Sequence, residues 1–220
     1  MNKNRIIIIL AVGVSLLILL LPWQSIFRVQ LSFLEAIAVV SSAWSVALLA
    51  RNNPLGWWVG LVGVVAYAIV FYRVKLYAET AVQIFYFITS VNGIWVWLKG
   101  GKNQTEKPVS RLPKSKLILS VIAFIPCLWG LQTLLILLRG AAPFWDALTT
   151  VGSAIAQLYL MERYVESWYL WIAVDVIYVP LCASQKLYLT SGLYAVFLGM
   201  SISGLLNFKR LYKQQKQHRL

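Results

Sequence analysis

Asp175 is a carboxylate in the middle of a long apolar run, and Trp168, Trp171 and Tyr178 flank it at offsets of −7, −4 and +3. On a helix those four positions form one stripe, so two indoles, a carboxylate and a phenol share a face. A charge at mid-bilayer depth costs about 2.5–3.5 kcal/mol on insertion scales, so it needs a partner, a cavity or a ligand. Aromatic planes beside one buried anion suit a flat cationic or electron-poor ring, held by stacking and cation–π attraction and selected by charge. The structural alternatives are that Trp168 belongs to an interfacial aromatic belt and that Asp175 is paired by a neighbouring helix. No lysine or arginine lies at comparable depth in the sequence to supply that pair. Gln83 and Tyr86 share a face of another apolar run, and Gln157 lies inside a third; Gln83 is read as a ligand contact. Asn92 lies about half a turn around from Gln83 and is read as a packing group. Nothing in this set supplies a nucleophile with its base, a metal-ligand cluster or a phosphate-binding glycine loop. The chemistry is therefore binding, and no enzyme, cofactor or metal is expected.

The elements that carry these residues are membrane helices. The chain has 220 residues, 60% of them hydrophobic and only 12% charged, where a soluble domain carries about 25% charge. Its net charge of +13 is not gathered into one basic face. The charges sit between apolar runs and at the ends, which argues for orientation in a bilayer and against nucleic-acid binding. Cys127 and Cys182 both fall in apolar runs and read as packing residues.

Eight runs are long enough to span, at about 6–22, 32–50, 55–72, 76–98, 117–138, 144–161, 167–184 and 188–207. No small-residue cleavage site follows the first, and Pro22-Trp23 reads as an interfacial stop, so that run is kept as an uncleaved helix. With eight spans, fifteen of the twenty Lys and Arg residues fall on the side of the two termini and five on the other. The positive-inside rule then puts both termini in the cytoplasm.

Residues 33–99 and 144–210 align without a gap at a spacing of 111. Glu35 matches Asp146, Trp57 matches Trp168, Tyr67 matches Tyr178, Lys75-Leu76-Tyr77 matches Lys186-Leu187-Tyr188, and Gly93 matches Gly204. One intervening helix makes the triplets parallel repeats, the architecture of a transporter with its site between the halves. The expected organisation is an N-terminal transmembrane helix in 1–30, a first three-helix repeat in 31–99, and a cytoplasmic loop with a linker helix in 100–143. A second repeat in 144–210 and a basic cytoplasmic tail in 211–220 complete it. Gly100–Lys116 reads as a plain solvated loop. Glu35 and Asp146 read as carboxylates at helix N-termini, or else as outer-gate partners of Arg73 and Lys186.

The chain resembles the PnuC family of bacterial vitamin transporters, chiefly in Gly60-Leu-Val-Gly-Val-Val-Ala-Tyr67, Lys75-Leu-Tyr-Ala-Glu-Thr80, Ser90-Val-Asn-Gly-Ile-Trp-Val-Trp97, Trp168-Tyr-Leu-Trp171-Ile-Ala-Val-Asp175 and Lys186-Leu-Tyr-Leu-Thr-Ser-Gly-Leu-Tyr194. The resemblance implies an all-α, SWEET-like three-one-three core with an extra N-terminal helix in the bacterial inner membrane. It also implies facilitated diffusion of a dephosphorylated vitamin that a cytoplasmic kinase then traps. Nicotinamide riboside is the first candidate, thiamine the second and riboflavin the third. The site residues it implies are Trp168, Trp171, Asp175 and Gln83. Partners are then the vitamin and the bilayer, with room for a homo-oligomer.

Overall fold

The computed structural model describes residues 3–20, 32–73, 75–139, 142–184 and 188–217. Among them are eight long helices and no strand: α1 Lys3–Leu20, α2 Phe33–Ala50, α3 Leu55–Arg73, α4 Tyr77–Lys99, α5 Lys114–Leu137, α6 Pro143–Met161, α7 Glu166–Ser184 and α8 Tyr188–Gln217. Helices are what such a sequence must form, because a backbone surrounded by hydrocarbon has to satisfy its own hydrogen bonds. Six are long and apolar enough to cross a membrane; the apolar part of α1 is shorter, Ala11–Leu20. α6 carries Thr149, Ser153 and Gln157, and it buries them against other helices. α8 continues past the expected end at 207 to Gln217, since a Lys- and Gln-rich tail favours helix once it leaves the bilayer. The Pro22-Trp23 stop, the Lys186-Leu187 turn and His218 lie outside the described residues.

The helices close a ring. α2 packs on α3, α3 on α4, α4 on α6, α6 on α7, α7 on α8, and α8 returns to α2. Each seam between the halves therefore joins the first helix of one repeat to the third helix of the other. α1 lies outside the ring on α2, and α5 lies outside it on α6. Each of the two packs on the first helix of its repeat. The extra N-terminal helix and the linker helix are thus counterparts, and the repeated unit is four helices long. α5 has no buried residue, as a lipid-facing helix should.

The end of the ring holding the α2–α3 and α6–α7 turns, called inner below, is packed solid. Trp57 lies over Gly93 and Trp168 over Gly204, so close that a Cβ on either glycine would meet the indole at 2.7 and 2.6 Å. Trp97 meets Trp57 edge-on at 5.5 Å, and Phe208, its counterpart, meets Trp168 at 5.4 Å. Leu49, Leu160, Val165 and Leu205 fill the remainder.

Across this core lies Arg163, 2% exposed. Its Nε donates to Asn52 Oδ1 at 2.9 Å, its other nitrogens donate to the Lys107 carbonyl and the Glu106 carboxylate, and its guanidinium sits 4.7 Å from the Trp97 ring centre. Asn52 and Arg163 are 111 residues apart, and both have a left-handed backbone, φ 61° and 62°. That conformation costs a non-glycine residue about 1–2 kcal/mol. Each residue ends its helix in that conformation, with the Asn53 and Tyr164 N–H groups donating back to the Leu48 and Tyr159 carbonyls at 2.9 Å.

The 100–116 segment is consequently not a plain solvated loop. Val109 is buried, and Ser110 exchanges backbone hydrogen bonds with Arg163 and Val165 at 3.2 and 3.0 Å. Lys107 and Lys116 pair with Glu162, and Arg111 pairs with Glu166. A desolvated guanidinium needs acceptors on every side, and this loop supplies them. Hydropathy does not register such a demand.

Gly204→Ala should destabilise the protein by about 1–3 kcal/mol through overpacking. Gly199→Ala, which meets nothing within 4 Å, should not. Thermal unfolding of the two variants in detergent separates them. Burial alone would raise the Glu162 carboxyl, but Lys107 and Lys116 more than reverse this and hold it below its ordinary value. Its contribution is full above the unfolded carboxylate pKa of about 4.3 and is lost as pH falls through the lower folded value. Glu162→Gln should flatten the melting temperature's pH dependence in that acid window.

Candidate functional site

α7 presents the Trp168–Trp171–Asp175–Tyr178 stripe, and the structure divides it. Trp168 is 1% exposed and sealed against Gly204 and Phe208. Its indole nitrogen has no acceptor, but neither has that of its counterpart Trp57. An unpaired indole present in both halves is a feature of the repeated joint, so it says nothing of a ligand. Trp171 is different: only partly buried, it also leaves its indole nitrogen unpaired, and its counterpart is Gly60.

Asp175 is 3% exposed, and Ser201 Oγ on α8 donates to its Oδ2 at 2.9 Å. No basic side chain pairs with it among the described residues. A neighbouring helix therefore does hold it, but through a neutral hydroxyl that leaves the charge uncompensated. Tyr178, outward of Asp175, stacks flat on Tyr194 at 4.4 Å and 10°.

The facing residues lie across the α4–α6 seam. The Tyr86 hydroxyl donates to Ser153 Oγ at 3.0 Å, and Gln157 Nε2 donates to Thr89 Oγ1 at 3.3 Å. Both bonds join the two repeats. Gln157 is thereby committed to a helix–helix contact, and Tyr86 links α4 to α6. Gln83, half-buried on α4, makes no hydrogen bond among the described residues, and Tyr194 is its counterpart. Asn92 is exposed on the outer face of α4, so the packing hydrogen bond expected of it is not made.

The two halves use one register differently. Where α7 and α6 carry Trp171, Asp175, Gln157 and Thr149, α3 and α2 carry Gly60, Val64, Val46 and Ala38. In the first half, small residues draw α3 onto α2: a Cβ on Gly56, Gly60 or Gly63 would meet α2 atoms at 2.6–2.9 Å. In the second half that space is given to aromatic and polar side chains. Ser153, which repeats Ser42, was not singled out by sequence spacing; Ser201 repeats Ser90. A groove of about 260 Å³ between α3 and α4, lined by Trp58, Leu61, Val91 and Trp95, faces away from the ring.

At the outer end, Glu35 caps α2: Ser32 and Glu35 bond reciprocally in a capping box. Asp146 lies in the first turn of α6, where a carboxylate favours the helix N-terminus. Glu35 forms no ion pair with Arg73, and Lys186 lies outside the described residues.

A family model described as nicotinamide mononucleotide transporter matches residues 32–210. The chain is 27% identical over 202 residues to the nicotinamide riboside transporter PnuC of Escherichia coli (strain K12), covering 80% of this chain and 84% of that protein. It is 28% identical over 198 residues to the protein of that name from Neisseria mucosa, covering 83% and 74%. Among solved structures it is similar to the crystal structure of the vitamin B3 transporter PnuC, with a TM-score of 0.72 and 24% identity over 97% of this chain and 94% of that one.

Trp168→Ala should cost about 3–5 kcal/mol of stability, as removal of a large core side chain does. Trp171→Ala, with a less buried ring, should cost markedly less. Melting of both variants in detergent checks the division of the stripe.

Proposed function

The chain belongs to the nicotinamide mononucleotide transporter family, and from that premise we propose that it carries nicotinamide riboside across the bacterial inner membrane. The supporting observation is Asp175: a buried carboxylate whose one hydrogen-bond partner is a neutral hydroxyl. The pyridinium of nicotinamide riboside supplies the missing positive charge and a flat ring for the Trp171 face. Gln83 stands as the amide contact from the first repeat. Tyr178 lies outward of the carboxylate, Tyr86 and Gln157 brace the opposite wall, and Trp168 backs the face from the inner end.

Transport is uniport in this reading. Among the described residues there is no cluster of His, Cys, Asp and Glu suited to a metal, and no chain of carboxylates for a proton relay is evident. Both termini and the 100–116 loop face the cytoplasm, where a kinase phosphorylates the vitamin and prevents its return. The homo-oligomer, like the kinase, remains part of the proposal. Thiamine is the second reading, because its thiazolium is also a cation that Asp175 would favour. Riboflavin is neutral and gains less.

Titrating purified protein with nicotinamide riboside, thiamine and riboflavin, read by tryptophan fluorescence, should rank them in that order. Tighter binding of thiamine would move the assignment to the second reading. Trp171→Ala should weaken nicotinamide riboside by about 0.5–2 kcal/mol through loss of a cation–π plane. Uptake into kinase-free vesicles should saturate and should stop at the outside concentration. Accumulation beyond it under a proton or sodium gradient would refute uniport.

A further inference from the structure

We propose that Ser201 is a positioning residue for charge selection, holding Asp175 so that one carboxylate oxygen is tied to the protein and the other is kept for the cationic ligand. The inference rests on the reading of Asp175 as the charge selector. Ser201 Oγ donates to Oδ2 at 2.9 Å between α7 and α8, and the two residues are both 3% exposed. Oδ1 has no hydrogen-bond partner among the described residues, yet it is not one of the buried oxygens sealed without one.

The other half of the molecule supplies the contrast. Ser90 on α4 repeats Ser201 at the same register and is equally buried, 4%. The residue across from it in the α3 register is Val64 where α7 has Asp175. The serine is present in both halves, and in one of them a carboxylate has been placed against it. A hydroxyl suits this task better than a lysine or arginine. A cationic partner would neutralise the carboxylate and remove its preference for a charged ligand, whereas a hydroxyl fixes its rotamer and leaves its charge. A bare carboxylate in the same place would keep its charge but could turn both oxygens away from the ring.

The test compares the affinities of nicotinamide riboside and its reduced dihydro form, nearly the same shape without the ring charge, in purified full-length protein. Ser201→Ala should lower the charged-to-neutral affinity ratio by roughly three- to tenfold, the size of one net hydrogen bond. Ser201→Thr should restore it. Ser201→Cys, nearly isosteric and a weak donor, should fall between them and provides a second truncation if alanine does not fold. Ser90→Ala should leave the ratio unchanged. An Asp175→Asn arm separates the two levels of the argument. If Asp175→Asn collapses the ratio and Ser201→Ala does not, or if Ser201→Ala weakens both ligands equally, the positioning role is overturned and the charge selector stands. If Asp175→Asn leaves the ratio untouched, the charge-selector reading fails and this inference fails with it.

Discussion

The structure depends on one helix–helix contact that is made once in each repeat. It is a tryptophan laid on a glycine, Trp57 of α3 on Gly93 of α4 and Trp168 of α7 on Gly204 of α8, and Trp97 and Phe208 bring the two copies together with ring centres 6.1 Å apart. Helices in lipid gain nothing from hiding apolar surface from one another, so close packing has to supply the attraction. A flat indole against a residue with no side chain gives a large contact at short range. The pair occurs twice because the chain is duplicated, and both copies lie at the inner end.

That placement makes the ring unequal along its length. At the inner end the aromatic core is continuous across both seams, and Arg163 ties the two repeats and the connecting loop together over it. Towards the middle, contact between the halves passes to single hydrogen bonds, Tyr86 to Ser153 and Gln157 to Thr89. Such bonds are directional and few. The arrangement suits a carrier: a firm aromatic core at one end and polar contacts between the halves nearer the buried carboxylate.

The duplicated halves carry the buried carboxylate on one side only, Asp175 against Val64. A symmetric pair of sites would place two carboxylates in one small space, where like charges repel and each raises the cost of the other. Here the first repeat keeps glycine and valine at the corresponding positions and closes α3 onto α2. The second repeat carries Trp171 and Asp175 there instead.

Much of this was legible in the residues. Long apolar runs can only be helices in a bilayer, and a gapless spacing of 111 identifies the repeat, because each of these is a local or periodic property of the chain. The stripe on α7 was legible for the same reason. Which members of the stripe touch the interior was not. Trp168 and Trp171 are chemically identical and three residues apart, and only the proximity of Gly204 on α8 buries the first. Gln83 and Gln157 are likewise the same amide, and only the α4–α6 seam commits the second to Thr89. The clasp was hidden as well, since Arg163 counts as one more inner charge until Asn52, Glu106 and Lys107 are brought to it from distant parts of the chain. Sequence alone determines what each residue offers and the period at which it recurs. The partner that consumes or leaves that offer is settled only when helices far apart in the chain meet, because hydrogen bonds and close packing are decided within a few ångströms.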